Sequence, residues 1–413
     1  MGVLQPVKKK LFSLFLISLL LMLAACGSQS SSTKETSGKS KNVIKVGLSV
    51  PLSGAAANWG ITAEWAAKQA ANKINEQGGV TADGKKYTFE VIAYDNKYNA
   101  TTGGQVAQTL INKDKVKFIV GSVGSAPTLA LHALTEKAKV IHFTSAWTPD
   151  IKGEKFPYTF TTLNTPREVI EPIANYILDK DNKLKKVAVI NPNDATGTDT
   201  SAVSVKVWKS KGIDIVVEDY YERGTTEFSQ IVTKVLAKKP DIIDLGATPP
   251  GDAGLILKAL SEQGWNGVKI IGAGTSADQL IDAAGDAAND VYLGLAPDFS
   301  SEIATTVQKD LAKKAKKDLN QTLNAISMQP YDGMMSLKAA IDKTKSLDPD
   351  KLIKALQEVK VESSYGPTAF GYKETYGIAQ QMLLPITITQ IQAGTPVEVK
   401  RMIPKELEEK GIK

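Results

Sequence analysis

The strongest constraint on the fold is a repeated alternation of short apolar runs with longer segments of helical periodicity. Its clearest example is residues 118–150, FIVGSVGSAPTLALHALTEKAKVIHFTSAWTPD. The apolar run 118–120 stops at Gly121, as a buried strand does, and apolar residues three and four apart predict a helix from Ala126 to Ala138. Val140 to Phe143 is a second strand. A strand, a helix and a strand in this order indicate a mostly parallel sheet.

The same alternation begins at residue 43 and restarts after Leu163, so two sheets with separate cores are predicted. A length of 413 residues also favours two domains. The predicted fold class is therefore α/β, with two doubly wound lobes and mostly parallel strands.

Hydroxyl and aromatic side chains follow two neighbouring strands of the first predicted sheet. Gly121 and Gly124 allow a sharp turn, and Ser125 is suited to cap the next helix, whose N-terminus favours an anion. Trp147 follows the next strand. For either residue alone, capping or packing explains it. Their common position at the carboxyl ends of parallel strands predicts a ligand site there.

The first 25 residues have the pattern of a signal peptide. Lys8, Lys9 and Lys10 precede an apolar stretch, Leu11 to Ala25, that is short for a membrane span. The sequence LAACG around Cys26 resembles a bacterial lipoprotein signal, which makes Cys26, the only cysteine, the predicted lipid-bearing residue. The polar residues 26–42 are predicted to be a flexible, lipid-anchored stalk.

Composition and motifs argue against nucleic acid, metals and catalysis. The formal charge of +6 includes the three leader lysines, so the mature chain carries only +3. The two histidines, His132 and His142, stand outside any metal-ligand motif, and the sequence lacks Walker A and GxSxG motifs. We predict no enzyme activity, no metal and no cofactor. Gly272 to Ala277 fits a weak dinucleotide pattern, which leaves an exported nucleotide-dependent enzyme as a rival hypothesis.

Five segments together resemble the branched-chain amino-acid-binding proteins of the type I periplasmic-binding-protein superfamily, which are ligand receptors for ABC importers. They are KVGLSVPLSGAAANWG, NKINEQGG, FIVGSVGSAPTLAL, TSAWTPDI and YDGMMSLKAAID. The resemblance implies two lobes joined by three crossover segments. It places residues 43–163 and 297–376 in the N-terminal lobe and residues 164–296 and 377–413 in the C-terminal lobe, with crossovers near Leu163, Pro297 and Tyr376.

The resemblance also implies a set of ligand-binding residues in the cleft between the lobes. A serine after the glycine turn and the loop after the next strand hold the ligand carboxylate, an aromatic residue covers the ligand, and second-lobe loops add contacts. The residues at these positions are Ser125, Ser145, Ala146, Trp147, Trp59, Thr196, Thr248 and Gly274.

One departure from the family pattern bears on the ligand. Amino-acid-binding members use a second-lobe acid to pair the ligand ammonium, and Gly274 stands at that position here, with Asp278 as the nearest acid. An unpaired ammonium would lose affinity. An aromatic or otherwise apolar carboxylate, or an amide, is therefore an alternative to an amino acid.

The resulting hypothesis is a lipid-anchored solute-binding protein on the outer face of the cytoplasmic membrane. It would bind a small amino acid or a related carboxylate and deliver it to an ABC permease. A sensory subunit that binds the same ligands is an alternative.

Overall fold

The computed structural model describes Gly2 and residues 42–54, 56–272, 276–299 and 301–412. The predicted signal peptide, Cys26 and nearly all of the predicted stalk lie outside the described residues, and so does Gly274. From Asn42 onward the described chain belongs to one compact unit.

The described residues form strands of two to eleven residues. In chain order they are β1 Asn42–Val50, β2 Val80–Ala82, β3 Lys85–Asp95, β4 Phe118–Ser122, β5 Ile141–Thr144, β6 Thr159–Thr161, β7 Lys186–Pro192, β8 Asp214–Tyr221, β9 Ile242–Asp244, β10 Val268–Ile271, β11 Val291–Gly294, β12 Val361–Ser363, β13 Gly366–Thr368, β14 Phe370–Gly371, β15 Gln381–Met382, β16 Ile386–Gln392 and β17 Thr395–Met402.

The α-helices of the described residues alternate with many of these strands. They are α1 Ala57–Glu76, α2 Ala100–Gln108, α3 Ser125–Ala138, α4 Pro166–Lys180, α5 Ala195–Ser210, α6 Ser229–Leu236, α7 Pro250–Glu262, α8 Ala277–Ala284, α9 Thr306–Leu319, α10 Ala325–Thr344, α11 Pro349–Leu356, α12 Lys373–Tyr376 and α13 Lys405–Glu409.

Two large sheets organise the chain, as the alternation predicts. The first has the order β14-β15-β6-β5-β4-β1-β3-β2, and its inner pairs β3/β1, β1/β4, β4/β5 and β5/β6 are parallel. The second has the order β17-β16-β11-β10-β9-β7-β8 and is parallel from β11 to β8. We call them the sheets of the first and second lobes. The predicted α/β class with mostly parallel sheets is confirmed.

Apolar strand residues build both cores. Val46, Leu48 and Val50 in β1 are fully buried, and Ala63, Ala67 and Ala70 of α1 cover that strand with small side chains. In the second lobe, Trp208 of α5 is fully buried, and its indole N–H donates to Asp244 Oδ2 at 2.9 Å. Both sheets therefore pack against helices that connect their strands.

Strand pairing shows where the chain passes between the lobes. The first passage follows β6 and the second follows β11. Gln381 pairs with Thr161 of the first sheet, so the third passage lies between Met382 and Ile386 and not near Tyr376 as expected. The reason is that β15 adds to the edge strand β6 before β16 pairs antiparallel with β11.

The C-terminal helix packs on this third passage. Leu407 and Ile412 are buried against Ala369 and Leu383, and the Tyr372 N–H donates to Glu406 Oε2 at 2.7 Å. The end of the chain, expected in the second lobe, thus contacts segments that flank β14 and β15 of the first sheet. Among the described residues, no helix combines the length and apolar character needed to cross a bilayer.

Candidate functional site

A small cavity lies where the carboxyl ends of the two sheets face each other. Its volume is about 10 Å³. That is room for about one water, so a ligand needs the lobes to separate or side chains to move. The lining residues are Trp59, Tyr98, Val123, Gly124, Ser125, Ser145, Ala146, Trp147, Thr196, Ala247 and Ile326.

Six of the nine predicted binding residues line this one cavity. From the first lobe, Trp59 comes from α1, Ser125 from α3, and the other three from the loop after β5. Thr196 comes from the first turn of α5 in the second lobe. The six residues are Trp59, Ser125, Ser145, Ala146, Trp147 and Thr196.

Ser125 does not cap its helix, contrary to expectation. The cap position of α3 is Gly124, whose φ of +96° suits glycine, and Ser125 is the first helical residue. The Ser125 side chain is fully buried, and its Oγ has no hydrogen-bond partner in the described part of the chain. A buried hydroxyl without a partner is costly, so a ligand oxygen at this point would be stabilised.

The fold itself uses the backbone N–H groups of Ser145 and Ala146, the first two residues of the loop after β5. Ser145 N donates to the Ser122 carbonyl at 3.1 Å, and Ala146 N donates to Thr144 Oγ1 at 2.9 Å. Within the described residues, the Trp147 N–H donates to no backbone carbonyl. The available donors at this end of the cavity are therefore the Ser125 hydroxyl and the Trp147 N–H.

A buried hydrogen-bond chain supports this loop. Ser122 Oγ lies 2.8 Å from His142 Nε2, donates to Thr144 Oγ1 at 2.7 Å, and accepts from Thr128 Oγ1 at 2.9 Å. Burial lowers the pKa of His142 to about 3, with His132 contributing, so the imidazole is neutral at physiological pH. The sequence alone pointed to none of these contacts.

The second lobe meets the first at Thr196. Its Oγ1 accepts from the Ser125 N–H at 3.1 Å and lies 3.2 Å from the Tyr98 hydroxyl. Asp194 fixes the start of α5, because its Oδ1 accepts from Gly197 N at 2.9 Å. The two lobes therefore contact each other directly beside the candidate donors.

Sequence reasoning missed Tyr98, Val123, Ala247 and Ile326. Tyr98 stands three residues after β3, so its place at a strand end was the available signal. Ile326, from α10, had no such signal.

The structure places Thr248 and Asp278 outside the lining of this cavity. Thr248 is buried beside Ala247, where it faces the Tyr221 hydroxyl. Asp278 lines a second cavity of about 80 Å³ with Asp298 and Thr322. Burial raises the pKa of Asp278, and Asp298 adds to the effect. Gly274 and part of the Gly272–Ala277 pattern lie outside the described residues.

A match to a family model identifies the family of this chain. The model described as periplasmic binding protein matches residues 43–396. The chain belongs to this family. Membership supports a solute-binding role and implies an extracytoplasmic location. It also groups the chain with binding proteins.

Individual relatives agree with this assignment. A Leu/Ile/Val-binding protein of Rhizobium johnstonii is 28% identical over 81% of this chain and 87% of its own length. The leucine-binding protein of Thermotoga maritima shares the fold, with a TM-score of 0.75, 20% identity and coverage of 88% of this chain and all of that one. The first relative is similar in sequence along most of the chain, and the second shows the same fold.

A second kind of neighbour holds an aromatic acid. A solute-binding protein of an ABC transporter from Rhodopseudomonas palustris, solved in complex with 3,4-dihydroxybenzoic acid, has a TM-score of 0.73 and 26% identity. The match covers 87% of this chain and 97% of that one.

Proposed function

We propose that this periplasmic binding protein serves an ABC importer by binding a small amino acid or a related carboxylate between its lobes and delivering it to a permease. The observation that carries this proposal is the Ser125 hydroxyl, which is fully buried at the junction of the lobes without a partner. Beside it lies the Trp147 N–H, at the end of the neighbouring strand.

These donors suit a carboxylate. Hydrogen bonds to an ionised acceptor are about twice as strong as neutral ones, which favours a carboxylate over a carbonyl. The Ser125 N–H donates to Thr196 Oγ1 at 3.1 Å, so the Thr196 hydroxyl lies next to these donors. Ser145 and Ala146 support the site through the hydrogen bonds that shape the loop.

Large side chains suit an apolar body. Trp59 and Trp147 are 5% and 7% exposed, and Ile326 and Val123 add aliphatic surface. Small-ligand sites combine such walls with a few fixed polar groups. An amino acid is favoured by the relatives that bind leucine, isoleucine and valine, and an aromatic acid by the neighbour that holds 3,4-dihydroxybenzoic acid.

The membrane and the permease complete the proposal. A lipid on Cys26 would hold the receptor at the outer face of the cytoplasmic membrane. Residues 27–41 would link the lipid-bearing residue to the two lobes. Changes in the position of the lobes on ligand binding would make the ligand-bound form recognisable to a permease. A Cys26→Ala variant is expected to leave the membrane fraction.

The first test is native mass spectrometry of the gently purified mature protein, followed by denaturation to release a bound molecule. A released amino acid or organic acid supports the proposal. Titration of that molecule into a Ser125→Ala variant should show at least a tenfold loss of affinity. The control is Ser336→Ala, because the Ser336 hydroxyl bonds only within α10. Equal affinity in all three proteins would remove Ser125 from the site.

A further inference from the structure

Tyr98 occupies a central position in the cleft that the proposed function does not yet use. Its ring centroid lies 5.9 Å from that of Trp59 on one side, and the guanidinium carbon of Arg223 lies 4.7 Å from it on another. Its hydroxyl is 3.2 Å from Thr196 Oγ1. Tyr98 therefore belongs to the first lobe and contacts two residues of the second.

The turn that carries Tyr98 is firmly fixed. Asn96 is fully buried, and its amide group donates to the carbonyls of Ser49 at 2.8 Å and Val123 at 3.1 Å. Its Oδ1 accepts from Tyr98 N at 2.9 Å. The ring position is thus set by the strand ends that also shape the cavity.

Arg223 is fixed from the second lobe. Its Nε and Nη2 both donate to the Asp194 carboxylate, the latter at 3.2 Å, and only 15% of its side chain is exposed. Nη1 is buried and has no hydrogen-bond partner among the described residues. A guanidinium that is largely buried and incompletely paired is costly, and a nearby anion offsets that cost.

The acidic groups near the cleft lie outside the cavity wall, and one of them, Asp252, is close enough to Arg223 for their charges to interact. No charged side chain lines the cavity within the described ranges. Asp194 pairs with Arg223, Asp199 faces the Thr148 hydroxyl across the cleft, and Asp278 belongs to the second cavity. A ligand ammonium would have no carboxylate on the cavity wall described here. A ligand with a net negative charge would have the Arg223 guanidinium nearby, packed against the Tyr98 ring.

We propose that Tyr98 contacts the ligand and makes the cleft selective for carboxylic acids that lack an ammonium group, with Arg223 as its positioning residue. On ligand entry the Tyr98 hydroxyl exchanges Thr196 for a carboxylate oxygen, and Arg223 holds the ring and adds positive potential. Burial raises the pKa of Tyr98, which keeps its hydroxyl protonated as a donor. This inference rests on the proposed function and narrows its ligand class.

The test compares ligand pairs that share a carbon skeleton and differ by an ammonium group. The pairs are 4-methylpentanoate with leucine and 3-phenylpropanoate with phenylalanine, titrated calorimetrically into the mature protein. We expect each acid that binds to bind at least tenfold more tightly than its amino acid. Tyr98→Phe and Arg223→Met should each reduce the ratio of acid affinity to amino-acid affinity at least threefold. Arg223→Lys should keep more of this ratio than Arg223→Met does.

Matched controls lie outside the cavity. Tyr94→Phe removes a hydroxyl that bonds Asp114, and Arg401→Met breaks a similar two-point pair with Glu398. Neither should change the ratio. Thermal unfolding would show whether Arg223→Met folds. If it does not fold, the affinity ratio of Tyr98→Phe alone tests the inference.

Three results would overturn the inference. They are an amino acid that binds as tightly as its acid, a ratio unchanged in Tyr98→Phe, and no binding by any of the four probes. The first two leave the proposed function intact. After the third, the proposed function fails as well only if the purified protein releases no small molecule on denaturation.

Discussion

The hydroxyl of Ser122 lies 2.8 Å from Nε2 of His142, and both side chains are fully buried. One hydrogen bond further along, Thr144 Oγ1 accepts from the Ala146 N–H at 2.9 Å, which belongs to the cavity wall. The neutral imidazole is thus connected to the loop that is proposed to hold the ligand. Protonation of His142 would disturb the fold and this loop together.

The first prediction concerns acid stability. Burial lowers the pKa of His142 to about 3 and that of His132 to about 4, from 6.5. Between these values and pH 6.5 the unfolded chain binds more protons, so stability should rise with pH. His142→Gln, which keeps a polar group near Ser122, should reduce this slope near pH 5 by about 1.4 kcal/mol per pH unit.

Urea unfolding at pH 5, 6 and 7.5 measures this slope. The wild-type protein and a His132→Gln variant are run in parallel, and His132→Gln should reduce the slope by a similar amount. A His142→Gln protein with the wild-type slope would show that His142 does not titrate as its burial implies.

The second prediction concerns Asp332, whose titration should change stability with pH in the direction opposite to that of the two histidines. This carboxyl is fully buried in α10, and burial raises its pKa to about 7, although the Ser364 N–H and hydroxyl oppose the shift by donating to it. Because the folded state holds a proton that the unfolded state has lost, Asp332 should reduce stability as pH rises from 4 to 7.

Asp332→Asn removes this titration with little change in volume. Relative to wild type, the variant should gain about 3 kcal/mol in free energy of unfolding between pH 5 and pH 8. The measurement is the same urea titration, with Asp342→Asn on the exposed side of α10 as control. A constant difference between Asp332→Asn and wild type at all pH values would contradict the raised pKa.

The sequence was sufficient to predict both sheets and most of the cavity. Alternating apolar strands and helices require parallel pairing, and parallel strands end at one edge, which brought Ser125 and Trp147 together. The strand end before Tyr98 was a signal for its place at this edge, but its contact with Thr196 was not predictable, because it joins two lobes across 98 residues of sequence. No local pattern reports a contact of that kind.

The third passage between the lobes was misplaced for a different reason. Strands β14 and β15 have two residues each and pair at the edge of the first sheet. So short a strand shows no alternation, and its pairing is decided by the tertiary contacts of residues 369–385. The capping role expected for Ser125 failed because Gly124, with positive φ, occupies the cap position.

The third prediction separates binding from stability at Ser125. Its Oγ forms no hydrogen bond in the described part of the fold, so Ser125→Ala should leave the free energy of unfolding unchanged or raise it by up to about 1 kcal/mol. Ligand affinity should fall in the same protein. Chemical unfolding without ligand checks the first statement. A loss above about 1 kcal/mol would mean that the hydroxyl stabilises the fold.

The fourth prediction concerns a close contact that recurs in both lobes. In the first turns of α1 and α5, a Cβ on Gly60 would lie 1.8 Å from the Pro51 carbonyl oxygen, and a Cβ on Gly197 would lie 1.9 Å from that of Pro192. Each glycine therefore lets its helix begin directly against the end of the preceding strand. Since Gly197 follows Thr196, its contact also fixes a cavity residue.

Gly197→Ala should destabilise the protein by about 2–3 kcal/mol, because backbone must move to relieve the overlap. The displaced helix start should also weaken ligand binding through Thr196. Gly104→Ala is the matched control, since Gly104 lies within α2 and its nearest neighbour would be 3.9 Å away. That variant should gain about 0.5–1 kcal/mol, the usual effect of replacing a helical glycine. Equal unfolding free energies for the two variants would show that the approach of Pro192 does not constrain α5.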